Sequence, residues 1–281
     1  MKLFDKRDKT KGNLIILILL SVVAFGQLFP LIWLVDFSLC KSGDLFVSGI
    51  LKIPDPPQFQ NYVTAWVDGK IPQFLFNSIL ITAFTIAGTV FLALTMGYAF
   101  VRMKWKLRGV FLTIVLLGMM IPIHATLLPN FITFRKIGLL DTYQGLIIPY
   151  IAFSMPLGIY IMTGFLESIP KSIEESAVID GCGIYRIIFQ IVFPLTKPAV
   201  VTIAIMTFLN SWNEFIMAVT YLSNDKFRTL PFSVWNFAGQ YISEYAVQFA
   251  VMALTAIPAL LVYILLNEQI TKGVTVGAVK G

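Results

Sequence analysis

Residues 167–198 read ESIPKSIEESAVIDGCGIYRIIFQIVFPLTKP. This polar stretch, punctuated by Pro and Gly, lies between two strongly apolar ones, and the contrast decides the class of the chain. Its flanks, about 143–165 and 199–222, are long enough to cross roughly 30 Å of hydrocarbon, which takes about 20 helical residues. Over all 281 residues, 57% are hydrophobic and 13% charged, whereas soluble domains carry about 25% charge. The apolar runs therefore exclude a soluble one- or two-domain protein of this length.

Working outward, the runs predict six spans, at about 13–39, 74–100, 110–134, 143–165, 199–222 and 247–267. Residues 1–12 form an N-terminal segment, 13–267 a six-helix domain containing the loop 167–198, and 268–281 a tail. The first run follows Lys2, Lys6, Arg7, Lys9 and Lys11 like a signal peptide, but it is far longer than the roughly 7–15 apolar residues of a signal core. It reads as a retained helix. Pro30, Pro122, Pro129 and Pro156 lie in or near spans and predict kinks, since neighbouring helices can satisfy the freed carbonyls.

Charge sets the orientation. Five basic residues precede the first span, four lie in 101–109 (Arg102, Lys104, Lys106, Arg108), three in 166–198 (Lys171, Arg186, Lys197) and two in the tail (Lys272, Lys280). The opposite side holds seven. Basic loops stay in the cytoplasm, so both termini and the 167–198 segment are expected inside. The formal charge of +6 needs no nucleic acid, because it sits in short clusters beside spans. The outer loop 223–246 carries Phe227, Phe232, Trp235, Phe237 and Tyr241; it is either a protein contact surface or an interfacial aromatic belt.

Within 167–198, Ser172 followed by Glu175 matches a capping box. The pattern predicts a helix from Ile173 to Asp180, then a turn at Gly181 and Gly183 with φ > 0. Tyr185, Ile188, Phe189 and Val192 recur at helical spacing and predict a second amphipathic stretch, closed by Pro194 and Pro198. Read locally, Glu175 is either a cap or a contact for a partner, and Gly181 is a turn in both cases.

Few other groups carry chemistry. Cys40 and Cys182 fall on opposite sides of the predicted membrane and have no ligand-like neighbours, so neither a disulfide nor a metal site is expected. The single histidine, His124, lies in an apolar run and reads as a packed or interface residue. One histidine supports no Ser-His-Asp constellation, and no G-x-x-x-x-G-K-[ST] run exists to cradle a nucleotide phosphate, so the chain is expected to be non-catalytic. Glu214 is the clear acid inside a span. With Asn210 and Asn213 it marks either a polar pathway or a helix-to-helix tie.

The spacing of the whole segment resembles the signature of binding-protein-dependent ABC importer permeases, E-A-A-x3-G-x9-I-x-L-P. Glu175, Ala177, Gly181, Ile191 and Pro194 match it, while Ser176 and Phe193 depart mildly. GYAFVRMKWKLRG (97–109), MIPIHATLLPNF (120–131), GLLDTYQGLIIPY (138–150), NSWNEF (210–215) and KGVTVGAVKG (272–281) are similar to the maltose-type carbohydrate branch, in its MalG-like subunit. The resemblance implies an all-α integral membrane protein with a type I importer permease fold, N-in and C-in, and a cytoplasmic coupling helix. It implies that Glu174, Glu175, Ser176, Ala177, Asp180 and Gly181 engage an ATP-binding subunit, with weaker contacts from Lys280 and Gly281 of the tail. It further implies a second permease, two ATP-binding subunits that hold ATP and Mg2+, an extracytoplasmic sugar-binding protein and the bacterial cytoplasmic membrane. An ion-coupled secondary sugar carrier and an ABC permease for a non-sugar solute are the alternatives. A secondary carrier calls for paired intramembrane acids or repeated broken helices.

Overall fold

The computed structural model of the protein describes residues 6–44, 54–237 and 244–278. Among them every regular element is helical. In chain order the helices are α1 (Lys6–Ser38), α2 (Gln60–Val67), α3 (Ile71–Val101), α4 (Arg108–Leu117), α5 (Leu127–Ile137), α6 (Gln144–Ser168) and α7 (Ser172–Ile179). Then come α8 (Ile184–Arg186), a π-helical turn over Ile187–Val192, α9 (Phe193–Leu195), α10 (Lys197–Trp212), α11 (Ile216–Tyr221), α12 (Phe232–Trp235) and α13 (Tyr245–Ala278).

Four helical stretches are single runs long and apolar enough to cross a bilayer: Ile16–Ser38, Ile71–Val101, Gln144–Ser168 and Tyr245–Leu265. Two further candidates are bent pairs. Arg108–Met120 meets Ile123–Ile137 at 95°, and Ile184–Leu195 meets Lys197–Trp212 at 79°. The expected span 110–134 is thus a right-angle break, not a kink. The cause lies at Ile121 and Pro122, both extended (ψ 115° and 122°). A proline clashes with an α-helical predecessor and lacks the amide that would continue the ladder. Pro30, Pro149 and Pro156, by contrast, sit inside unbroken helices.

Two compact units emerge, one from 1–71 with 233–257 and one from 72–232 with 258–281. In the first, Phe37, Cys40 and Ala246 form a small core against Trp33 and Phe249, and Asn61 donates to the carbonyls of Ser38 and Cys40. The second holds two larger cores. One joins Leu94 and Tyr98 of α3, Ile159, Met162 and Leu166 of α6, Ala177 of α7, the π turn, and Ala199 and Ile203 of α10. The other joins Phe74 and Ile81 of α3, Phe134 of α5, Leu146 and Tyr150 of α6, Met217 and Tyr221 of α11, and Phe232. Gly158 lets α6 approach closely: a Cβ there would stand 3.3 Å from Ala93 Cβ and Thr89 Cγ2 and 3.4 Å from Ile203 Cγ2. Small residues at such crossings give membrane helices their van der Waals contact.

The aromatic loop reading changes here. Phe232 is buried against Phe74 and Phe215 and belongs to the core, and the half-buried Phe227 meets Tyr143 edge-on at 5.0 Å and packs against the same core. Trp235 is exposed, and Tyr241 lies outside the described residues.

Candidate functional site

The α7 loop begins where α6 ends. Ile169 is extended before Pro170 (ψ 126°), as the residue ahead of a proline prefers, and α7 starts at Ser172. The capping box does not form. Lys171 already has helical angles (φ −63°, ψ −26°), its carbonyl accepts from the Glu174 and Glu175 amides at 3.0 Å, and Ser172 is the first helical residue. A side-chain cap needs an extended backbone at the cap position, which the start of α7 lacks.

The other end matches its expectation at Gly181 alone. Gly181 is left-handed (φ +78°), whereas Gly183 is extended at φ −73°. The Gly181 amide reaches Val178 O at 3.0 Å and the Cys182 amide reaches Ala177 O at 2.9 Å. This pair of bonds is a Schellman termination, and it satisfies carbonyls the helix would otherwise leave open.

The sequence treats Glu174 and Glu175 as one group, but the fold separates them. Glu174 and Ala177 are buried, while Glu175, Ser176, Asp180 and Gly181 face outward. Ile179 is 85% exposed and Tyr185 77% exposed, an unusual presentation of large apolar groups on a polar loop. The predicted stripe on the following segment also shifts. Ile187, Ile188 and Val192 point inward, Phe189 is exposed, and the wide π turn accounts for the change from a 3.6-residue register.

Glu174 enters a polar node between helix ends. Its Oε1 accepts from Arg102 Nε at 2.7 Å, and its Oε2 accepts from the Tyr98 hydroxyl at 2.9 Å. Arg102 Nη2 also donates to the carbonyls of Leu166 (3.0 Å) and Ile169 (2.7 Å), closing the C-terminal end of α6. The two charged side chains are 6% and 10% exposed. Such burial is tolerable because each charge is paired and hydrogen-bonded. Arg102 counts in the sequence only as a loop charge. The available signal was its spacing from Tyr98, i and i+4 on one helix face.

A cavity of about 600 Å3 opens between the break that follows α4 (residues 118–124), α6, α10 and the start of α11. Asn210, Asn213, Glu214, Ser154 and His124 line it together with Tyr150, Phe153 and Phe215. Asn210 and Glu214 reach it differently than expected, because α10 stops at Trp212 and they do not share one helix face. Glu214 instead sits at the break. Its carboxylate accepts from the Tyr150 hydroxyl (2.6 Å) and from the amides of Met217 (2.7 Å) and Ala218 (3.2 Å), covering the start of α11. Asn213 Nδ2 returns to the Leu209 carbonyl at 2.9 Å, and Asn210 is exposed to the cavity. His124 is exposed on the same wall, so it is a lining residue and not a packed one. Lys280 and Gly281 lie outside the described residues, and no metal-holding cluster of His, Cys, Asp and Glu exists among the described ones.

Comparison with known proteins is consistent across the chain. It is 32% identical to the sulfoquinovosyl glycerol transport system permease protein SmoH of Agrobacterium fabrum, over 93% of this chain and 92% of that one. It is 32% identical to the galactooligosaccharides transport system permease protein GanQ of Bacillus subtilis (94% of both), and 28% to the trehalose/maltose transport system permease protein MalG of Thermococcus litoralis (98% and 99%). The fold matches a chain of a bacterial ABC transporter that imports the acidic polysaccharide alginate, with a TM-score of 0.81 and 24% identity over 95% of this chain and 99% of that one. The model of the family described as binding-protein-dependent transport system inner membrane component matches residues 89–276, a range that contains both the α7 loop and the cavity, and the chain belongs to that family.

Proposed function

We propose that this chain is the permease subunit of an ATP-driven carbohydrate importer in a bacterial cytoplasmic membrane. It crosses the membrane six times, each bent pair counting as one span, with both termini and α7 on the cytoplasmic side. The regions 1–12, 13–267 and 268–281 are its inner N-terminus, its membrane domain and its inner tail. It supplies half of the translocation pathway, and a second permease supplies the other half. Two ATP-binding subunits carry ATP and Mg2+, and an extracytoplasmic sugar-binding protein delivers the cargo.

The observation that carries this reading is the outward face of α7. Glu175, Ser176 and Asp180 surround Ile179 on a short helix whose opposite face is anchored in the core. Exposed apolar groups rimmed by polar ones mark a protein contact. Glu175 supplies a charge for a basic residue of an ATP-binding subunit, and Gly181 supplies the turn. Lys280 and Gly281 would add contacts from the tail. For the cargo, the names of the relatives share sugars and glycosides. Asn210, Asn213, Ser154 and His124 in the cavity are polar groups that hydrogen-bond hydroxyls, and Phe153 and Phe215 offer faces to sugar rings.

The test is reconstitution of the purified assembly in liposomes with its binding protein and a panel of radiolabelled oligosaccharides. ATP sealed inside the liposomes should drive accumulation, and a proton or sodium gradient without ATP should not. Gradient-driven uptake by this chain alone would establish the secondary-carrier alternative.

A further inference from the structure

Resting on the docking role proposed for α7, we infer that Arg102, Glu174 and Tyr98 form the joint that carries motion of α7 into the membrane helices. These three are positioning residues and not partner contacts. The geometry supports a joint between three elements. Glu174 lies in the first turn of α7, Tyr98 and Arg102 in and just past the last turn of α3, and the carbonyls of Leu166 and Ile169 at the end of α6. One guanidinium touches both other elements, donating to Glu174 at 2.7 Å and to the two carbonyls at 3.0 and 2.7 Å. Arginine's rigid fork suits this task, because its donors cannot reorient independently.

The apolar surroundings alone would not transmit a displacement with direction. Between α7 and the membrane helices the contacts include Ala177 and the branched side chains of the π turn, which can slide past one another. A buried, paired charge cannot slide, because any movement that separates it from its partners leaves it desolvated and unpaired. The joint therefore moves as a unit or breaks. Its output has a route. From Ser168 back to Ser154, α6 spans about 21 Å at roughly 1.5 Å per residue and reaches the cavity wall, where Ser154, Phe153 and Tyr150 lie. Tyr150 in turn holds Glu214 at the break between α10 and α11. A pull on α7 thus reaches the cavity through two hydrogen-bonded nodes and one continuous helix.

The experiment uses the complete assembly in proteoliposomes and reads three quantities: ATP-binding subunits retained by the tagged chain, ATP hydrolysed, and sugar transported per ATP. Glu174→Gln and Arg102→Met should retain the ATP-binding subunits near the wild-type level. Sugar moved per ATP should fall by roughly tenfold, within the usual range of site-to-site coupling. Arg102→Lys keeps a charge beside Glu174 but loses the fork, and it should fall between wild type and Arg102→Met. Wild-type sugar per ATP in Glu174→Gln would overturn the inference. So would loss of all three variants from the membrane, which would make the cluster a stability element only. A wild-type chain that retains no ATP-binding subunits would instead refute the docking role of α7, which separates the two failures.

Discussion

At the residue scale, the two glutamates of α7 show how one helical turn divides roles. Neighbours in sequence lie 100° apart on a helix, so Glu174 faces the core while Glu175 faces outward. The family resemblance implied that both dock, and nothing nearby in the sequence separates them, because the partner of Glu174 comes from 72 residues away. The cavity residues divide in a similar way. The Glu214 carboxylate is spent on internal bonds, to the Tyr150 hydroxyl and the amides of Met217 and Ala218. Glu214→Ala should therefore lower stability by roughly 1–3 kcal/mol, the cost of leaving such groups unpaired, and this is read as a lower melting temperature in detergent. Asn210 projects into the cavity, and Asn210→Ala should change stability by less than about 0.5 kcal/mol while reducing sugar uptake. The reverse ranking of the two variants would remove Asn210 from the pathway. At Gly181 the cost is backbone strain alone, since nothing lies within 4 Å of an added Cβ. Gly181→Val should cost about 1–3 kcal/mol of local strain and Gly181→Asn distinctly less, because Asn tolerates the left-handed region. Equal retention of ATP-binding subunits by both variants would show that the turn does not set the pose of α7.

At the scale of elements, the long helices were legible because their apolar runs exceed what any soluble packing requires. The breaks were less so. Proline at 122 predicted a bend, but a right angle needs two extended residues in succession, and that depends on what the neighbouring turns pack against. The end of α10 was not legible at all. NSWNEF reads as helix, yet Glu214 closes a second helix three residues on, and that cap is visible only with Tyr150 in place. The capping box failed for the converse reason: its residues were present, but the chain entered α7 already helical. The packing of α3 on α6 supports a prediction of its own. Gly158 is hemmed by Ala93, Thr89 and Ile203, none of which can swing aside far. Gly158→Val should overpack the crossing by about 1–3 kcal/mol and cut the yield of folded protein, whereas Gly164→Ala, with open space at its Cβ, should not. Equal yields for the two variants would mean that α3 and α6 are not in close contact at Gly158.

At the scale of the molecule, function was legible through the spacing of a signature and its placement beside basic loops, while the internal wiring was not. Hydropathy and charge speak to the bilayer, which acts on every residue alike; the pairing of Arg102 with Glu174 depends on a fold that brings distant helix ends together. The proposed orientation has a direct check. In a Cys182→Ser background, Ile179→Cys, at a position 85% exposed on α7, should react with a membrane-impermeant maleimide in inside-out vesicles and not in right-side-out ones. Labelling from the outer side would reverse the topology and remove α7 from reach of any ATP-binding subunit. The measurement closest to the central claim is a comparison of Glu175→Lys with wild type for membrane insertion, retention of ATP-binding subunits and sugar uptake. Glu175 is exposed and has no internal role, so insertion should be unchanged while retention and uptake both collapse. Wild-type retention and wild-type uptake in Glu175→Lys would contradict the account.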